Sequence, residues 1–153
     1  MWSRMIPAVL VGALMLSGGV AIAEMAVLGV ALVGEIRGQE PHEPFKPFTA
    51  CEKDKRADAP LPVIDSTAER TVYFWNKVSS TRKAMLRHTW YLNGGEGWKQ
   101  MAEVDLKILS SPGYRAWSSK LIAPSIHVGE WMIVVSAPND SPKVQCIARF
   151  RVH

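Results

Sequence analysis

Several groups of residues have the types and spacings that chemistry requires. Ser118, Ser119 and Lys120, in "GYRAWSSKLI", set hydroxyls beside an amine, the pairing of a serine hydrolase with a lysine base. That chemistry needs a desolvated lysine within hydrogen-bond reach and donors for the oxyanion. Neighbours on a strand point to opposite faces, so Ser118 and Lys120 share a side while Ser119 diverges from both. Ser80 and Lys83 make an S-x-x-K spacing, but the S-D-N and K-T-G companions of the penicillin-binding enzymes are absent and the segment reads as a turn. His42, between Glu40 and Glu43, is a weak candidate metal ligand. His88, His127 and His153 stand far apart with no H-x-H or H-E-x-x-H spacing. His88 alternates with Leu86 and Trp90, the placement of a core histidine.

The remaining candidates are binding residues. Trp98 and Lys99 follow the glycine loop "NGGEG", where a tryptophan can stack on a sugar ring or a partner chain, or fold back as a lid on the sheet. Tyr114, Arg115 and Lys120 form a polar and aromatic corner that can face a partner, with Trp117 expected to point inward and Ser118 and Ser119 to bond local backbone. No cofactor is expected: the glycines of "NGGEG" precede no helix, and no C-x-x-C occurs.

The elements that must position these residues are strands. "TVYFWNKV" is aromatic and β-branched, "MLRHTWYL" and "AEVDLKIL" alternate with period two, "EWMIVVSA" is more fully apolar, and "KVQCIARFRV" alternates again. "AVLGVALVGEI" makes a first strand, and Asn93-Gly94-Gly95 supplies a hairpin turn. The pattern predicts an all-β, antiparallel β-sandwich of immunoglobulin-like or fibronectin-like type with about seven strands. Residues 37–70 carry prolines at 41, 44, 47, 60 and 62, which predicts a long loop or irregular edge. Trp90 and Trp131 fall on inward positions and are expected in the core.

The chain of 153 residues has length for one domain, at 24–153, behind an apolar N-terminus. Residues 1–23 hold Arg4, an apolar run and Ala21-Ile22-Ala23, the pattern of a secretory signal cleaved after Ala23. An exported, periplasmic or extracellular protein is therefore expected, tethered to a membrane only if the signal stays uncleaved. The two cysteines, Cys51 and Cys146, then become candidates for a disulfide, with unpaired burial as the alternative. A formal charge of +4, scattered in both signs, lacks the dense basic footprint of a nucleic-acid binder.

"VYFWNKV", "RHTWYLNG", "MAEVDLKI", "YRAWSSK", "GEWMIVV" and "ARFRV", in that order, resemble a bacterial envelope family known as domain of unknown function 2914. The opening "GVALVGEIRGQEP", with its turn at Gly38-Gln39-Glu40-Pro41, is also similar to that family. Tyr114 stands where the family usually has tryptophan, and the segment between Phe45 and Thr71 is longer than typical. The resemblance implies a small exported all-β domain, with no established activity. The expectation is a non-enzymatic binding or assembly module whose partner is an envelope protein or a cell-wall glycan. A peptidoglycan-binding module using Trp98 is the alternative, and a small hydrolase on Ser118 and Lys120 the third reading.

Overall fold

The computed structural model describes residues 24–46, 60–65, 67–139 and 144–153. The signal-like residues 1–23 and Cys51 lie outside them. The described chain forms β1 (Met25–Arg37), β2 (Glu40–Pro44), β3 (Val63–Ile64), β4 (Arg70–Ser80), β5 (Ala84–Asn93), β6 (Trp98–Ile108), β7 (Ser111–Ile122), β8 (Gly129–Ser136) and β9 (Val144–Val152). Two sheets, ordered β2-β1-β4-β7 and β3-β9-β8-β5-β6, pack as a sandwich. All pairings are antiparallel except β3 with β9. Without β2 and β3 the order is three strands against four, a fibronectin-like arrangement.

Among the described residues the strand count is nine, against about seven expected, and both extra strands come from within the proline-rich segment. Gly38 and Gln39 both have positive φ, 54° and 71°, and close a two-residue hairpin in which Arg37 faces Glu40. Positive φ at both central residues matches the twist of the flanking strands. Pro41 and Pro44 are tolerated because β2 is an edge strand, where a missing donor disrupts no interior ladder. β3 is only two residues long and adds to the other sheet's edge.

The core follows the alternation. Val72, Phe74 and Val78 of β4 face Leu86, Trp90 and Leu92 of β5, and Trp131, Ile133, Cys146, Ala148 and Phe150 complete it. Trp131 stacks on Phe150 with ring centres 5.8 Å apart, and Trp90 meets both edge-on. These arrangements add about 0.5–1.5 kcal/mol each beyond the area they bury. Cys146 is buried and disulfide-bonded.

One backbone position is especially constrained. Gly129 opens β8 at φ 135°, and a Cβ there would run into the Asn93 carbonyl of the neighbouring strand. Gly129→Ala is expected to lower stability by about 1–3 kcal/mol in urea unfolding. An unchanged midpoint would show that β5 and β8 can part here without cost.

Candidate functional site

Three places bring chemistry-bearing side chains together: a sealed node between the sheets, a groove on the outer face of the first sheet, and an apolar pole.

The sealed node centres on Ser118. β4 and β7 run in register, so Phe74 lies opposite Ser118, Trp75 opposite Trp117 and Asn76 opposite Ala116. Ala116 and Ser118 are inward residues in the middle of β7, and the half-buried Trp117 faces outward beside Trp75. This corrects the expectation that Trp117 points inward. Small residues are required on that face because the opposing sheet fills the space with Trp90 and His88. Ser118 is also not bonded to local backbone: its Oγ lies 2.7 Å from His88 Nδ1 and accepts the Trp90 Nε1–H at 3.0 Å. It thus ties β7 to β5 across the sandwich.

His88 packs edge-on against Phe74, 5.1 Å between ring centres, and burial pushes its pKa down to about 3. The ring is therefore neutral. With the Trp90 donor occupying one lone pair of Ser118, the serine hydroxyl is free to donate to His88 Nδ1. His88 Nε2 and both amide atoms of the nearby buried Asn76 have no protein hydrogen-bond partner. The Ser–His contact has the distance of a catalytic pair, but Ser118 is 4% exposed and His88 0%, so no substrate reaches it. Lys120, the proposed base, stands at the rim near His127. Ser80, the other candidate serine, donates to the Arg82 carbonyl at 2.7 Å where the chain bends between β4 and β5.

The groove lies where the β1–β2 hairpin tip crosses the outer face of the first sheet. Trp75 Nε1–H donates to the Gln39 carbonyl at 2.8 Å, which buries Trp75 although it points away from the core. The Arg115 guanidinium pairs with the Glu40 carboxylate. Gln39, Ser111, Gly113, Tyr114, Arg115 and Trp117 line an opening of about 340 Å³. Glu40 is thus engaged by Arg115. Among the described residues no group of three or more His, Cys, Asp or Glu could hold a metal ion.

The apolar pole is the end where β5 and β7 finish and β6 and β8 begin. Among the described residues it holds five of the seven exposed large apolar side chains: Val63, Trp98, Leu121, Ile126 and Val128. Trp98 is 42% exposed and Ile126 69%. Trp98 is the first residue of β6, opposite Asn93.

Local bonds hold both loops of the pole. Asn93 Oδ1 accepts the amides of Gly95 and Gly97 at 3.0 and 3.2 Å. His127 Nδ1 accepts the Ala123 amide at 2.9 Å, and its carbonyl accepts the Trp131 Nε1–H at 2.9 Å. Burial, and then the charge of Lys120, hold the His127 pKa below its ordinary value, which keeps Nδ1 free to accept.

The five binding candidates therefore separate. Trp98 and Lys99 begin β6 at the pole, and Lys120 is near it on the other sheet. Tyr114 and Arg115 line the groove. Sequence reasoning passed over Ile126 and Val128, because isolated apolar residues in a loop leave no periodic signal. It also missed Gln39, whose role depends on the hairpin crossing the sheet.

No curated protein sequence matches this chain. Similar solved structures include a β-glucosidase from Kluyveromyces marxianus (11% identity, TM-score 0.36, covering 58% of this chain and 14% of that one). Another is a GH3 β-glucosidase from Bifidobacterium adolescentis (11%, TM-score 0.39, 85% and 17%). A third is a β-D-glucoside glucohydrolase from Trichoderma reesei (12%, TM-score 0.40, 86% and 19%). The chain spans less than a fifth of the length of each of these enzymes.

A family model described as "Protein of unknown function (DUF2914)" matches residues 83–151. That span contains "RHTWYLNG" and "YRAWSSK", which carried the resemblance, and both serine partners, His88 and Trp90. Residues 83–151, nearly all of β5 to β9, belong to this family of unknown function.

Proposed function

We propose that this chain is a non-enzymatic, exported binding or assembly module of the cell envelope, working through its apolar pole. The observation that carries the reading is the set Trp98, Ile126 and Val128, exposed at the head of β6 and in the β7–β8 loop, where internal hydrogen bonds hold both connecting loops in place. Exposed apolar residues gathered in one region mark interaction sites, and a braced surface loses little entropy on binding. The sealing of Ser118 and His88 argues against the hydrolase reading in the same terms.

A photo-crosslinking residue at position 126 should trap an envelope protein in intact cells. Ile126→Asp should reduce capture by a crosslinker at position 128 at least about tenfold. Capture that is indifferent to Ile126→Asp would remove the pole as the binding surface.

A specific observation also favours the glycan reading. The register sets Trp98 opposite Asn93 and Tyr91 opposite Gln100, so Trp98, Tyr91 and Gln100 share the outer face of the second sheet. Aromatic faces beside an exposed amide suit a sugar ring. Co-sedimentation of the chain with purified cell-wall sacculi, beside Trp98→Ala, tests this. Binding abolished by the substitution would identify a glycan ligand, and no binding by either protein would leave a protein partner.

A further inference from the structure

The four sheet edges are unequally protected. β2 is five residues long with two prolines, and β3 is two residues long just after Pro60 and Pro62. β6 is long, but it turns Glu103, Asp105 and Lys107 to solvent and its register with β5 shifts between Trp90 and Tyr91. Proline, shortness, charge and bulges are the usual devices against edge-to-edge pairing. β7 has few of them. After Pro112 it runs from Gly113 to Ile122 without proline, in continuous register with β4 from Tyr114 onward. Among the described residues its other side pairs with no strand. Its outward row is Gly113, Arg115, Trp117, Ser119 and Leu121, with a single charge.

We propose that β7 pairs antiparallel with β7 of a second copy of this chain, about a two-fold axis at Trp117, joining the two four-stranded sheets into one of eight. The residues of β7 are self-complementary in this register. Trp117 meets Trp117 of the other copy, Arg115 meets Ser119, Tyr114 meets Lys120, and Gly113 meets Leu121. No like charges face each other, whereas an axis at Arg115 would oppose two guanidinium groups. Trp117 also lies at the middle of the proline-free run, so this axis uses its full length. The opening beside Trp117, walled by Gln39 and Tyr114, gives the second indole a place to lie. Two-fold pairing of one edge satisfies its open backbone groups in both copies at once.

The pairing shares only Leu121 with the pole, whose carrying residues Trp98, Ile126 and Val128 lie on other elements. Its failure would leave the envelope-binding reading standing, and the reverse holds.

Sedimentation equilibrium of the full chain at about 100 µM should give twice the monomer mass of 16.9 kDa. Trp117→Lys places two ammonium groups on the axis and should weaken the dimer at least about 30-fold. Because Trp117 is half-buried, exposed Ser119 gives the fold-neutral test. Ser119→Arg sets guanidinium against Arg115 and should weaken the dimer, while Ser119→Glu supplies a carboxylate there and should tighten it. An equimolar mixture of Trp117→Lys and Trp117→Glu chains should recover the dimer that each alone loses. Trp98→Ala should leave the mass at the dimer value. A monomeric wild type, or a dimer indifferent to both Ser119 changes, would overturn the proposal.

Discussion

Ser118→Ala is expected to lower the unfolding free energy by about 2–4 kcal/mol, because one lost hydroxyl orphans two buried groups, Trp90 Nε1–H and His88 Nδ1. Each unpaired buried polar group costs about 1–3 kcal/mol, more than the net worth of the bond removed. Urea unfolding of Ser118→Ala beside Ser119→Ala separates this effect from loss of a hydroxyl in general. Ser119 is exposed, and its substitution should change stability by less than about 0.5 kcal/mol. Equal losses at the two positions would mean that the Ser118 bonds contribute nothing.

The second large effect is acid destabilisation through His88. Folded, the ring stays neutral down to about pH 3, whereas unfolded it takes up a proton near its ordinary value of 6.5. Between these values the unfolded state binds the extra proton, so stability falls as pH falls. The window opens near 6.5 and closes near 3, below which both states are protonated. Within it His88 contributes a slope of about 1.4 kcal/mol per pH unit. His88→Leu removes that slope, so its curve of stability against pH should be flatter than wild type across the window. Parallel curves would show that the folded ring accepts a proton without penalty. His88 resonances in solution, holding the neutral form at pH 5, provide an independent check.

These two effects rest on a node that the sequence only half disclosed. The alternation Leu86, His88, Trp90, Leu92 marks His88 as inward, and the structure agrees. Its partner was not legible, because Ser118 and His88 are thirty residues apart and meet only when the sheets stack. For the same reason "AWSSK" suggested an inward tryptophan. Periodicity offers two faces for a strand, and the larger side chain drew the choice. The register with β4 decides for Ala116 and Ser118, since the space opposite is already taken by aromatics from β5.

The proline-rich segment shows a different limit. Prolines at 41, 44, 60 and 62 exclude an interior strand but are compatible with an edge, and β2 and β3 are both edges. Composition could not say whether an edge forms, because that depends on a neighbour to pair with. The Gly38-Gln39 turn supplies that neighbour for β2 by folding it back on β1.

By itself the sequence determined the all-β class, six of the seven main strands, the inward tryptophans Trp90 and Trp131, and the glycine hairpin before Trp98. All of these follow from local alternation, β propensity and turn chemistry, which act over a few residues. Tertiary structure alone decided that Ser118 joins His88 and Trp90, that Trp75 is covered by the hairpin tip, and that Ile126, Val128 and Trp98 gather at one pole. These are contacts between distant segments, set by how two twisted sheets stack and which loops their strand order brings together.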